Sequence, residues 1–114
     1  MLEIKHYIDN QGRDIYAEWH RKIRDTKARM ALDRRLYRVE LGNFGDHKAV
    51  GEGVHELRVD VGPGYRVYYG QSGKTLVLLL CGGDKSTQRA DIKKAQEYWQ
   101  DWQRSQSKEK GVER

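Results

Sequence analysis

Glu56-Leu57-Arg58-Val59-Asp60-Val61-Gly62-Pro63-Gly64-Tyr65-Arg66-Val67-Tyr68-Tyr69 is the stretch that decides the fold. Leu57, Val59 and Val61 alternate with Glu56, Arg58 and Asp60, the period of two that a strand with one buried face requires. Gly62-Pro63-Gly64 then turns the chain, because proline presets φ and the glycines permit positive φ. Tyr65 to Tyr69 is a β-rich return strand, so the whole reads as a hairpin. Alternation places Arg58 opposite Leu57 in facing, and Arg66 with Tyr68 opposite Val67. Neighbours across a hairpin lie close enough for Arg58 and Arg66 to converge on one anion. Tyr65 and Tyr69 then point to the core.

Outward from the hairpin the period changes. Downstream, a turn at Gln71–Lys74 precedes Thr75–Cys81, a continuous apolar run expected of a strand covered on both faces. Gly82-Gly83-Asp84-Lys85-Ser86 reads as a polar loop leading into a helix, with Asp84, Ser86 or Thr87 as its cap. In that helix Ile92, Ala95, Trp99 and Trp102 form a seam for the sheet. Upstream, Leu2 and Ile4 mark a first strand, and Asp9 or Asn10 can cap a helix carrying Ile15, Trp19 and Ile23. Asp25-Thr26 opens a second helix with Ala28, Leu32, Leu36 and Val39 on one face, stopped by Gly42. Glycines at 42, 45, 51 and 53 surround a short strand near Lys48–Val50. The order predicts an α+β domain: a strand, a helical hairpin, an antiparallel sheet of three to four further strands, and a C-terminal helix. Residues 1–102 form the one domain, and residues 103–114 a polar tail expected to fray.

The chain has 114 residues, 37% of them hydrophobic and 34% charged. Lys and Arg number 22 against 17 Asp and Glu, a net +5. That balance suits phosphate-bearing partners or an acidic protein. Eight of the basic residues (Arg21, Lys22, Arg24, Lys27, Arg29, Arg34, Arg35 and Arg38) crowd the helical hairpin. The single cysteine, Cys81, excludes an internal disulfide and reads as a buried thiol. No leader pattern opens the chain and the longest apolar run, Leu76–Cys81, is too short for a bilayer, so a cytoplasmic protein is expected. Histidines 6, 20, 47 and 55 lack metal-ligand spacing, and neither metal nor cofactor is expected.

Several segments, in order, carry a family resemblance: Gly42-Asn43-Phe44-Gly45-Asp46-His47-Lys48, Gly51-Glu52-Gly53-Val54-His55-Glu56-Leu57-Arg58, Gly62 to Tyr69, and Leu80 to Gln88 with Asp91-Ile92. Over about Leu2 to Trp102 the chain resembles the RelE/ParE toxin superfamily, most of all its HigB-like branch of addiction-module killer proteins. The resemblance implies the toxin of a type II toxin–antitoxin system that cleaves mRNA on the ribosome without metal, by attack of the 2′-OH. A cognate antitoxin, expected to be a helix-turn-helix protein, would neutralise it. ParE-like relatives share the fold but poison DNA gyrase, and a non-catalytic phage-derived binding remnant is a third reading. Fold alone does not choose among them.

Cleavage of this kind needs the phosphate held in line, its growing charge stabilised, and protons moved. The resemblance makes Arg66 the stabiliser of the pentacovalent phosphate, and Arg58 the group that orients the backbone. From the residues alone, both arginines could equally be surface groups paired to Glu56 or Asp60. Lys85, ahead of a helix N-terminus, is a third phosphate contact or part of a simple capping loop. Tyr68 is the candidate for base stacking. Gln88 is a hydrogen-bond donor to RNA, and Lys48 stands in for the lysines that RelE-type enzymes carry before the hairpin, where this chain has Glu56. Arg34 and Arg35 are candidates for ribosomal RNA or an acidic antitoxin. His55 and His47 have the side-chain chemistry for proton transfer, though His55 shares the facing of Leu57.

Overall fold

A computed structural model describes residues 1–112, with side chains described to Lys108. The elements are β1 (Glu3–His6), α1 (Ile15–Lys22), α2 (Thr26–Glu40), β2 (His47–Gly51), β3 (Val54–Val59), β4 (Tyr65–Ser72) and β5 (Leu76–Asp84). A 3-10 turn, Lys85–Thr87, leads into α3 (Gln88–Val112). The architecture is α+β, with one five-stranded sheet in the order β1-β5-β4-β3-β2.

The four further strands are antiparallel as expected, and β1 makes the whole sheet mixed. β2 to β5 form an antiparallel meander, but β1 pairs with β5 in parallel, Ile4 against Val77 and His6 against Leu79. The reason lies in the helical hairpin, which carries the chain over one face before β2 begins and so leaves β1 at the far edge.

Helices cover both faces. On one, α1 and α2 pack Tyr16, Ile23, Ala28, Leu32 and Val39 onto Leu57, Val67, Tyr69, Val77 and Leu79. On the other, α3 lays Ala95 and Trp99 over Val54, Tyr68, Leu78 and Leu80. A bulge in β5 sets Cys81 opposite Tyr68 but Leu79 opposite Tyr69, which turns both Leu80 and Cys81 toward α3. Two glycines admit the large aromatics. A β-carbon on Gly82 would stand 2.2 Å from the Trp19 ring, and one on Gly70 2.3 Å from the Trp99 ring.

The helix starts follow capping chemistry. Asp25 accepts from Lys27 and Ala28 N–H at the head of α2, as expected. For α1 the cap is Asp14 rather than Asp9 or Asn10. Asp9 instead accepts from the N–H groups of Gln11 and Arg13, closing the turn before the helix. The shift moves Ile23 past the end of α1 and makes Tyr16 its buried residue. The polar loop expected at Gly82–Ser86 is strand as far as Asp84, since Arg66 and Tyr65 pair with Gly83 and Asp84. The tail also differs: α3 runs on through residues 103–112, and residues 113–114 lie outside the described residues.

Among the described residues no helix is long and apolar enough to cross a membrane. Cys81 is buried, and burial pushes its thiol up to about 12. The thiol is expected to ignore a disulfide reagent at neutral pH until denaturant is added, a difference read from absorbance. Tyr69 is likewise pushed up to about 12 by burial. Both groups stay protonated in the fold above the values at which they ionise in the unfolded chain, 9.0 and 10.0. The unfolded state therefore binds fewer protons in that window, and stability is expected to fall as pH rises above about 9. Melting temperature against pH checks the sign.

Candidate functional site

Three cationic side chains chosen from the sequence meet in one place. Arg58 and Arg66 are register partners across the β3–β4 hairpin. Lys85 joins them because β4 pairs with β5 down to Tyr65 against Asp84, and Lys85 N–H then donates to Gly64 O at 3.1 Å. Gly64 has φ +81°, and a β-carbon there would stand 2.8 Å from Lys85 Cε, so the glycine makes room for the lysine stem. With Asp46 and Asp60 the three cations line a pocket of about 200 Å³. It lies on the α3 face of the sheet, just beyond the N-terminal end of α3.

The cations are held differently. Arg58 Nε donates to Glu56 Oε1 at 3.1 Å, and its Nη1 lies 4.0 Å from Asp46. Glu56 is fully buried, and Gln88 Nε2 donates to both of its oxygens, at 3.0 and 3.3 Å. A buried carboxylate is stable only when hydrogen-bonded and paired, and here Arg58 and Gln88 supply both conditions. Arg66 is different. It is 8% exposed, donates through Nη1 to the carbonyl of Tyr65, and has no ion pair and no partner for Nε among the described residues. Two like charges facing each other across a hairpin repel. Glu56 offsets the charge of Arg58, which leaves Arg66 and Lys85, neither in an ion pair among the described residues, with capacity for an anion.

Other expected site residues fall elsewhere. Tyr68 has the facing expected of it, but it is fully buried, so it cannot stack on a base. Burial, then the charge of Glu56, raises its hydroxyl well above the tyrosine range. His55 and His47 are on the other face: His55 stacks on Tyr69 at 5.5 Å, and His47 pairs with Leu57 and lies 5.8 Å from Phe44. Neither reaches the arginines. Gln88 gives its amide to Glu56 rather than presenting it to a ligand. Lys48 is exposed on β2, the register partner of Glu56, at the outer rim of the same face.

Arg34 is exposed on α2 beside Arg38 and Asp60, as a surface contact requires. Arg35 is not. Its guanidinium donates to the carbonyls of Arg58, Phe44 and Asp46, tying α2 to β3 and to the loop before β2. Arg35→Ala is expected to cost about 3 kcal/mol through these charged hydrogen bonds. Arg35→Lys restores little, because one ammonium cannot span the fork. Chemical denaturation checks both. Glu56 is the residue whose part the sequence concealed; its place in an alternating strand marks its face but not its burial.

No protein-family model matches the chain. It is similar to an uncharacterized protein of Haemophilus influenzae, 49% identical over 80 residues that span 70% of this chain and 81% of the relative. With that identity over most of the relative's length, the chain belongs to the same family as the Haemophilus influenzae protein.

Proposed function

We propose that this protein is a RelE-like, HigB-branch toxin of a toxin–antitoxin pair, cleaving mRNA on the ribosome in the cytoplasm and held inactive by a cognate antitoxin. The convergence of Arg58, Arg66 and Lys85 on one small pocket carries the reading. Three cations around about 200 Å³ suit a single phosphate. The pocket is open at the edge of a covered sheet, where an extended strand of RNA can enter. Arg66, which makes no ion pair among the described residues, stabilises the charge that grows on the pentacovalent phosphate as the 2′-oxygen attacks and the 5′-oxygen departs. Arg58, fixed by Glu56, orients the backbone, and Lys85 adds a third contact. With His47 and His55 on the other face, proton acceptance falls to the carboxylates that line the pocket, Asp46 and Asp60. The basic outer surface of α2, with Arg34 and Arg38, gives ribosomal RNA or an acidic antitoxin a place to dock.

Induced expression tests the reading. Translation should stop and transcripts should show cuts within codons when the 5′ ends are mapped. DNA breaks and filamentation would point to gyrase instead. Unimpaired growth at high protein levels would point to a non-catalytic partner-binding role.

A further inference from the structure

The opposite side of the molecule holds a larger cavity that the proposed RNA chemistry does not use. It has a volume of about 450 Å³ and lies between α1, α2 and the end of β1. His6, Tyr16, His20, Arg21, Arg29 and Asp33 supply its polar groups, and Leu36 adds an apolar wall. Pockets for small organic ligands have this size, and three of the lining side chains here are flat rings.

The polar groups are placed by their own partners. His6 Nδ1 is 2.8 Å from Asp14 Oδ2, which fixes the ring and leaves Nε2 for a ligand. His20 Nε2 lies 2.9 Å from Asp33 Oδ1 but off the line that a hydrogen bond needs, and so remains without such a partner. Arg29 is anchored by donating to the carbonyl of Ile23 at 2.7 Å, where α1 ends. Tyr16 stands at the centre. Its ring meets His6 edge-on at 5.2 Å and lies 5.8 Å from His20. It is 4% exposed, yet its hydroxyl has no hydrogen-bond partner among the described residues. An orphaned buried hydroxyl costs free energy comparable to a lost hydrogen bond, and a ligand oxygen would relieve it. Burial, then the charges of Asp33 and Asp14, hold that hydroxyl protonated and therefore a donor. Two guanidinium groups against one lining carboxylate give the cavity an excess of positive charge.

We propose that this cavity is a second ligand site, taking a small carboxylate or phosphate joined to a flat ring. Arg21 and the Tyr16 hydroxyl hold the oxyanion, and the rings of His6, Tyr16 and His20 hold the flat body. The site is independent of the RNA-cleavage reading, because its residues belong to the α1–α2 face and the arginine pocket to the α3 face.

The test is a titration of the full chain followed through the ring resonances of His6 and His20 by NMR. Benzoate and adenosine monophosphate are the ring-bearing anions, with inorganic phosphate and benzyl alcohol as the anion and the ring alone. At least one ring-bearing anion should give saturable shifts, and the tighter of the two identifies the source chemistry. Tyr16→Phe, which keeps the ring packing, and Arg21→Gln should each weaken binding about fivefold, the worth of one lost hydrogen bond. Arg66→Ala should leave the shifts unchanged. The proposal is overturned by any of four results: no saturation with either ring-bearing anion, equal shifts from phosphate or benzyl alcohol alone, unchanged binding in both pocket variants, or loss of binding in Arg66→Ala.

Discussion

Arg66→Ala is expected to lower the proposed RNA cleavage by about 10²- to 10³-fold, the loss typical when one preorganised donor to a developing oxyanion is removed. Growth on induction and mapping of transcript 5′ ends measure it. The variant should still fold. Arg66 makes no ion pair among the described residues, its Nε has no partner, and it faces another arginine. Its removal forgoes some packing and the bond to the Tyr65 carbonyl but relieves the repulsion, so a cost of about 1–2 kcal/mol is expected. Arg66→Lys should sit between parent and alanine variant, since an ammonium keeps the charge but not the two-pronged geometry. A toxic, normally folded Arg66→Ala would sink the catalytic assignment. Glu56→Gln is a sharper companion, because it loosens Arg58 without touching Arg66. It should impair cleavage and also destabilise, since Arg58 would face Arg66 without the buried charge that offsets it.

The second large effect is on stability. Gly82→Ala and Gly70→Ala are expected to cost about 1–3 kcal/mol each, the usual penalty of overpacking a close-packed interior. The added methyl would meet the Trp19 ring in one case and the Trp99 ring in the other, at 2.2 and 2.3 Å. Neither glycine has positive φ, so the penalty is steric and not conformational. That distinction is testable. Trp99→Leu in the Gly70→Ala background should recover part of the loss, a coupling between contacting sites that a backbone effect would not show. Thermal melts should move by about 4–8 °C per kcal/mol in a domain of this size.

Local chemistry was legible in most places where one element decides it, the α1 cap at Asp14 excepted. The β3–β4 hairpin follows from alternation and from Gly62-Pro63-Gly64; Gly62 and Gly64 do adopt positive φ. The α2 face, its Asp25 cap and the α3 seam of Ile92, Ala95, Trp99 and Trp102 follow from the helical period. The convergence of Arg58 with Arg66 was legible for the same reason, since hairpin pairing is local. What was not legible depends on segments far apart in the chain. The parallel edge formed by β1 is set by β5, which begins about 70 positions later in sequence at Leu76. The β1 residues alone carry no sign of it.

Tyr68 and Arg35 show the limit most clearly. Alternation put Tyr68 on the correct face, but only the docking of α3 decided that Tyr68 is fully buried there. Arg35 looks like any other arginine of a basic helix until β3 and the loop before β2 bring three carbonyls within its reach. The sequence by itself determined the α+β class, the hairpin and the facing of the arginines, because those depend on residue period and turn chemistry. Only the tertiary structure decided where the arginine pocket opens, what pairs Glu56, and that Tyr16 lines a second cavity. Burial and pairing are properties of what packs against a residue, and in this protein those neighbours come from distant parts of the chain.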